Sequence, residues 1–234
     1  MTGKPPDQQP ATNANRAREL AFLHIGKNAG TQIMHLAQQL TVHGLFIRQL
    51  SHATKLYVVP EQIAYFFSIR NPITRFKSGF YSRKRKGQPR IYVEWSRAET
   101  MAFGAFEHAN DLAEALFRTD ARGLIAAQAI SAIRHTSMQQ IDWFERIGFL
   151  DARPPVWIVR QENFAADFDA LLARFGMKVA LRDLRPAKDS ASAHSNDYSN
   201  TPDLSDLAKE NLQRWYARDM VFYDVCVKWL EKHR

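Results

Sequence analysis

Two stretches of this chain carry residue types and spacings suited to holding an anion. The first is "GKNAGT", Gly26, Lys27, Asn28, Ala29, Gly30 and Thr31, which follows the apolar run "ELAFLHI". Such a loop offers backbone N–H groups, and Lys27 adds a point charge beside them. Gly30 allows the backbone to come close to a ligand. The second is "RNPITRFKSGFYS". It opens on Arg70, whose guanidinium can grip a phosphate through two parallel donors. Thr74, Ser78 and Ser82 then recur every four residues, a stripe of small hydroxyl side chains on one helix face.

Two grips predict a ligand with two separated phosphates. The arrangement departs from the ATP-binding loop G-x-x-x-x-G-K-[ST], where the lysine follows the last glycine; here Lys27 precedes Gly30. No strand in the sequence ends in an acidic residue suited to a magnesium ion. Acid–base chemistry near neutral pH falls to histidine. Of the eight histidines, His24 ends the first apolar run and His52 lies between the two stretches. His135 sits in "IRHTSMQQIDW", and His194 lies in a polar loop.

The elements that must position these residues follow from the apolar pattern. "ELAFLHI" reads as a buried strand ending in a glycine turn. Ile33, Leu36, Ala37 and Leu40 then fall on one helical face. "AYFFSIR", 64–70, reads as a second strand. Asn71 and Pro72 are suited to begin the following helix, and Ile73, Phe76 and Phe80 line its apolar face. Residues 105–147 read as mostly helical, with short breaks near Asp120 and Gly148. "PVWIVR", 155–160, reads as a third strand, followed by a helix with Phe164, Phe168, Leu171 and Leu172 inward and Gly176 as its stop. Beyond a polar loop at 189–203, one long amphipathic helix or two carry Trp215, Phe222, Cys226 and Leu230 inward. Strands alternating with helices predict an α/β fold, a mainly parallel sheet with helices on both faces. In such folds ligands bind at the carboxyl ends of strands, where both stretches lie.

The chain has 234 residues, 45% hydrophobic and 24% charged, enough for one domain with a sizeable core over 18–234. Residues 1–17, rich in Pro, Gln, Asn and Ala, read as a disordered tail. The net charge of +8 predicts an anionic partner. With one cysteine, an internal disulfide and a cysteine metal cluster are excluded. The N-terminus lacks the apolar segment of a secretory signal, and no run is long enough to span a bilayer, so a cytoplasmic setting is expected. The basic cluster "RKRKGQPR", 83–90, reads equally as a solvated helix end or as attraction for an anionic ligand.

"LHIGKNAGTQI" resembles the "HIPKTGGTSL" signature of carbohydrate-type sulfotransferases, the heparan- and chondroitin-like branch. "FFSIRNPITRFKSGFY" resembles their second signature, F-x-V-R-[ND]-P-x-x-R-F-x-S-x-Y, with the same eight-residue spacing from Arg70 to Ser78. "ENFAADFDALLARFG" resembles a later segment, so the likeness spans about 20 to 180. "SHAT" is similar to a "HAT" segment of bacterial members. The departures are Gly26 for proline, Asn28 for threonine and Ala29 for glycine. The resemblance implies a three-layer sandwich with a P-loop-like sulfotransferase fold. It implies 3′-phosphoadenosine 5′-phosphosulfate (PAPS) as sulfuryl donor, its bisphosphate product PAP, and no metal. By the family pattern Lys27 and the loop 28–31 hold the 5′-phosphosulfate, and Arg70 and Ser78 the 3′-phosphate. Lys27 is then the principal catalytic cation. His52 is the preferred base, since relatives with a catalytic histidine carry it in this interval. His24, His135, His194 and Glu61 are its rivals. The acceptor implied is a carbohydrate. Two other readings stand beside this one: an ATP-dependent small-molecule kinase, and a non-catalytic basic module for nucleotide or nucleic acid, although no nucleic-acid motif is present.

Overall fold

The computed structural model describes residues 18–144, 148–184, 198 and 200–234. The expected tail, 1–17, and His194 lie outside the described residues.

The fold is α/β. Its centre is a four-stranded sheet of β1 (Arg18–Leu23), β2 (Leu45–Gln49), β3 (Tyr65–Ile69) and β4 (Ile158–Arg160), in the order β2-β1-β3-β4. Every pairing is parallel; Phe22 lies against Phe66 and Phe67 against Ile158. Leu20 to Leu23 and Tyr65 to Ile69 are buried throughout, as strands covered on both faces must be. Helices flank the sheet. From β1 the chain crosses to one edge through α1 (Gly30–Leu40), then returns to place β3 on the other side of β1. That reversal makes a crevice between the carboxyl ends of β1 and β3.

The strand readings differ at their ends. Pairing on β1 stops at Leu23, which frees His24 and Ile25 to enter the loop, and β4 is only three residues long. β2, unforeseen in the sequence, is an edge strand: Leu45 and Ile47 are buried while Phe46, Arg48 and Gln49 are exposed. Five residues with one buried face carry a weak apolar signal.

α2 (Pro72–Lys84) begins as the sequence predicts, with the Asn71 side chain accepting from the Ile73 N–H and Pro72 at the first position. The segment 105–147 is more broken than its composition suggests. It holds α4 (Ala109–Ala115), α5 (Ala121–Ala132) and α6 (Arg134–Ser137), preceded by α3 (Arg97–Ala105). α7 (Phe149–Ala152) and α8 (Phe164–Arg174) flank β4. The C-terminal part is two helices, α9 (Asp206–Trp215) and α10 (Ala217–Lys232).

Two apolar clusters result. One is the sheet with α1, α8 and the Phe222, Cys226 and Leu230 face of α10. The other joins α2, α3, α4, α5 and α9 around Phe76, Phe80, Phe103 and Ile130. α2 gives Phe76, Phe80 and Tyr81 to the second cluster.

Candidate anion-binding site

β1 leads through His24 and Ile25 into the loop 26–29. Lys27 and Ala29 both adopt left-handed backbone conformations, φ 71° and 61°, which turn the chain sharply into α1. α1 then starts at Gly30 with no side-chain cap and no acidic residue in its first turn. Its end therefore presents N–H donors and partial positive charge. A larger residue at Gly30 would displace the His24 ring. A Cβ there would lie 1.9 Å from His24 Nε2, because the imidazole packs directly against the helix start.

Across the crevice, Arg70 follows β3 and its Nε donates to Thr74 Oγ1 at 3.0 Å. Ser78 and Ser82 face the same space one and two turns into α2. Both segments open into one cavity of about 310 Å³. Lys27, Gly26, Ala29, Gly30 and Thr31 line one side; Arg70 and Ser78 line the other. Of the loop residues named from sequence, Asn28 alone is absent from this lining. Its side chain is fully buried, and its Nδ2 donates to the Ser68 carbonyl at 2.8 Å and to Gln140 Oε1 at 2.7 Å.

Gln140 organises the floor of the site. Its Oε1 also accepts the Arg70 N–H at 2.9 Å. Its Nε2 donates to the Arg70 carbonyl at 2.8 Å and to Asp219 Oδ2, at the start of α10, at 3.2 Å. One side chain thus fixes the glycine loop, the end of β3 and α10 relative to each other. Arg75, nearly fully buried, adds a second tie: its Nε donates to the Gly26 carbonyl at 3.0 Å and its Nη1 to the Met138 carbonyl at 2.7 Å. Sequence reading missed both. Arg75 lies inside the second stretch but is given no role there, and Gln140 sits 70 residues from the strand that it braces.

The cavity is strongly cationic. Arg83, Arg90 and Arg134 join Lys27 and Arg70 in its walls, with no carboxylate among the described lining residues. Burial, then the charges of Arg70, Arg85 and Arg75, lower the Lys27 pKa to about 8. Burial also lowers Arg70. Burial is the first cause of both shifts, and at Arg70 it outweighs Tyr198 and the Glu162 carboxylate, which act to raise the pKa. The basic cluster 83–90 divides between the two readings. Arg83 is neither solvated nor free, since its guanidinium forms a buried two-pronged pair with Glu99 at 2.7 and 2.8 Å. Lys86 pairs with Glu94 at 2.6 Å. Arg90 reaches the glycine loop, donating to Thr31 Oγ1 at 2.8 Å.

Three histidines line the cavity: His24, His52 and His135. The His24 and His52 rings are in contact, tilted at 37° with centroids 3.9 Å apart. His52 Nδ1 lies 3.2 Å from the His24 carbonyl. A carbonyl only accepts, so Nδ1 carries the hydrogen and Nε2 carries the lone pair. Burial, then the positive charges of Arg134 and Lys27, lower the His52 pKa, against the hydrogen bond to His24, which raises it. His52 is therefore neutral at pH 7, with a basic nitrogen available. His24 is lowered to about 3 by burial, His52 and Arg90, and its Nδ1 is engaged by Gln49. His135 is lowered to about 3 by burial and then Lys27. Glu61 is exposed and absent from the lining, so its carboxylate is not brought to the cavity.

Compared with known proteins, the chain matches no family model and no curated protein.

Proposed function

We propose that this protein is a sulfotransferase, moving the sulfuryl group of PAPS to an acceptor hydroxyl. The observation that carries this reading is the pairing of two anion grips in one cavity whose described lining holds no carboxylate. PAPS places its 3′-phosphate and its 5′-phosphosulfate at separate ends of one nucleoside, and the two grips are separate in the same sense. The two sequence signatures lie in these grips, and an all-parallel sheet with the glycine loop at its crevice accords with the sulfotransferase fold that they imply.

Lys27 and the start of α1 take the 5′-phosphosulfate; Arg70 and Ser78 take the 3′-phosphate. As the sulfur–oxygen bond to phosphate breaks, negative charge grows on the bridging oxygen. Lys27 stabilises that charge where it develops. His52 Nε2 accepts the acceptor's hydroxyl proton while the acceptor oxygen bonds to sulfur. A carbohydrate acceptor follows from the resemblance.

The kinase reading fares worse on the same observation, because a magnesium–triphosphate site draws on a carboxylate near the phosphates. Thermal shift separates the two. PAP without metal should raise the melting temperature, and Lys27→Ala should abolish transfer of labelled sulfate. Stabilisation by magnesium–ATP with no response to PAP would overturn the sulfotransferase reading.

A further inference from the structure

Behind His52 lies a second hollow of about 210 Å³. Gly26, His52, Arg134 and His135 belong to the walls of both spaces, so the hollow adjoins the anion cavity across the proposed base. Its remaining lining is Ala53, Met138, Trp143 and Arg75. The Arg75 guanidinium is tied to two backbone carbonyls, which leaves Ala53, Met138 and Trp143 to set the character of the chamber. That character is apolar. Cations stand nearby: Lys55 Nζ lies 4.4 Å from the Trp143 ring centroid, and Arg134 is in the wall.

We propose that this hollow is the acceptor subsite, and that the acceptor is a small aryl or similarly apolar alcohol bearing an oxygen acceptor or carboxylate, rather than a sugar chain. The inference rests on the sulfotransferase reading and departs from its carbohydrate expectation. Size argues for it, because ligand pockets for drug-sized molecules run to about 300–1,000 Å³ and this one falls below that range. Chemistry argues for it too. A sugar presents hydroxyls all round its ring, and the face made by Ala53, Met138 and Trp143 offers none of them an acceptor or a donor in reach. A single ring fits the apolar walls and presents one hydroxyl to His52 Nε2. A distal oxygen can face the Arg134 guanidinium in the wall. In the transfer, the sulfur–oxygen bond to the 5′-phosphate breaks and a sulfur–oxygen bond to the ring hydroxyl forms. The hydroxyl proton goes to His52, and PAP leaves with the negative charge.

The test uses the full chain with labelled PAPS and three acceptors: 4-methylphenol, 4-hydroxyphenylacetate and a heparan disaccharide. PAP affinity is measured alongside. The expected result is transfer to the phenols, with 4-hydroxyphenylacetate having the lower KM, and no transfer to the disaccharide. Ala53→Phe, at an exposed position, should raise the phenol KM at least tenfold with PAP affinity unchanged. Val42→Ala, at an exposed position that lines neither space, should leave that KM within about twofold, and the unchanged PAP affinity of Ala53→Phe guards against a folding defect. If PAP binds and the disaccharide is sulfated while the phenols are not, the subsite proposal is overturned and the sulfotransferase reading stands. An unchanged phenol KM in Ala53→Phe would overturn it as well. Loss of PAP binding in the unmodified protein would defeat the underlying reading instead.

Discussion

At the residue scale, Lys27 meets two opposed requirements. It must be charged to hold an anion, yet burial and three neighbouring arginines lower its pKa to about 8. A bound phosphate reverses that balance, because an opposite charge favours the protonated amine. Affinity for PAP should therefore fall as pH rises through about 8. Binding at pH 8 should take up a proton, seen as a calorimetric heat that depends on the buffer's ionisation enthalpy. A flat affinity between pH 7 and 9 would remove Lys27 from the phosphate contact. His52 carries a different expectation. Its Nδ1 is committed to the His24 carbonyl and its Nε2 faces no such tie, so His52→Ala should lower turnover by about 10²–10⁴-fold and leave PAP affinity unchanged. Loss of both would mark the ring as structural.

At the scale of elements, the loop before α1 stores conformational strain. Ala29 occupies the left-handed region, at a cost of about 1–2 kcal/mol for an L-residue. Glycine avoids that cost but loses about 0.5–1 kcal/mol of backbone freedom on folding. Ala29→Gly should then stabilise the chain by about 0.5–1 kcal/mol, measured by urea unfolding. The end of α2 depends instead on the buried Arg83–Glu99 pair, which ties it to α3. Glu99→Leu leaves a buried guanidinium without its counter-charge and should cost about 3–5 kcal/mol, whereas the double change to Leu and Met should cost less.

The same elements divide what the sequence could reveal from what it could not. The β1–α1 and β3–α2 junctions were legible because each combines a continuous apolar run, a loop or capping signal and a helical apolar face within about twenty residues. The place of Arg70 and Ser78 in the cavity wall was legible for the same reason, since both lie at one junction. β2 was not, because an edge strand buries only alternate residues. Asn28 was assigned to the ligand from its place in the loop, yet its side chain turns inward to Ser68 and Gln140. Gln140 and Arg75 were invisible because their roles consist of contacts made across distant parts of the chain.

For the whole molecule, the concentration of positive charge around one crevice governs behaviour in acid. Burial and the neighbouring cations hold His24 and His135 at about 3, so the folded state keeps them neutral where the unfolded chain binds protons. Stability from this source is complete above about pH 6.5 and is lost as pH falls from there toward 3. Burial works to raise the Glu99 carboxyl, but Arg83 and the N–H groups of Ser96 and Arg134 outweigh it and bring it to about 2. Its contribution is lost only between about pH 4.5 and 2. Melting temperature should therefore begin to fall below pH 6.5, well before carboxylate titration, and His135→Phe should flatten the upper part of that fall. A melting temperature constant from pH 7 to 5 would contradict the buried neutral histidines.

The bridge made by Gln140 also bears on synthesis. It joins Asn28, Arg70 and Asp219, with 112 residues between the first and Gln140 and 79 between Gln140 and the last. A chain emerging from the ribosome presents the glycine loop early, but the brace that fixes it against β3 waits for α10 to appear. The nascent chain thus lacks this brace of the cavity until α10 is made, and the geometry of the crevice comes in one late step rather than growing with length.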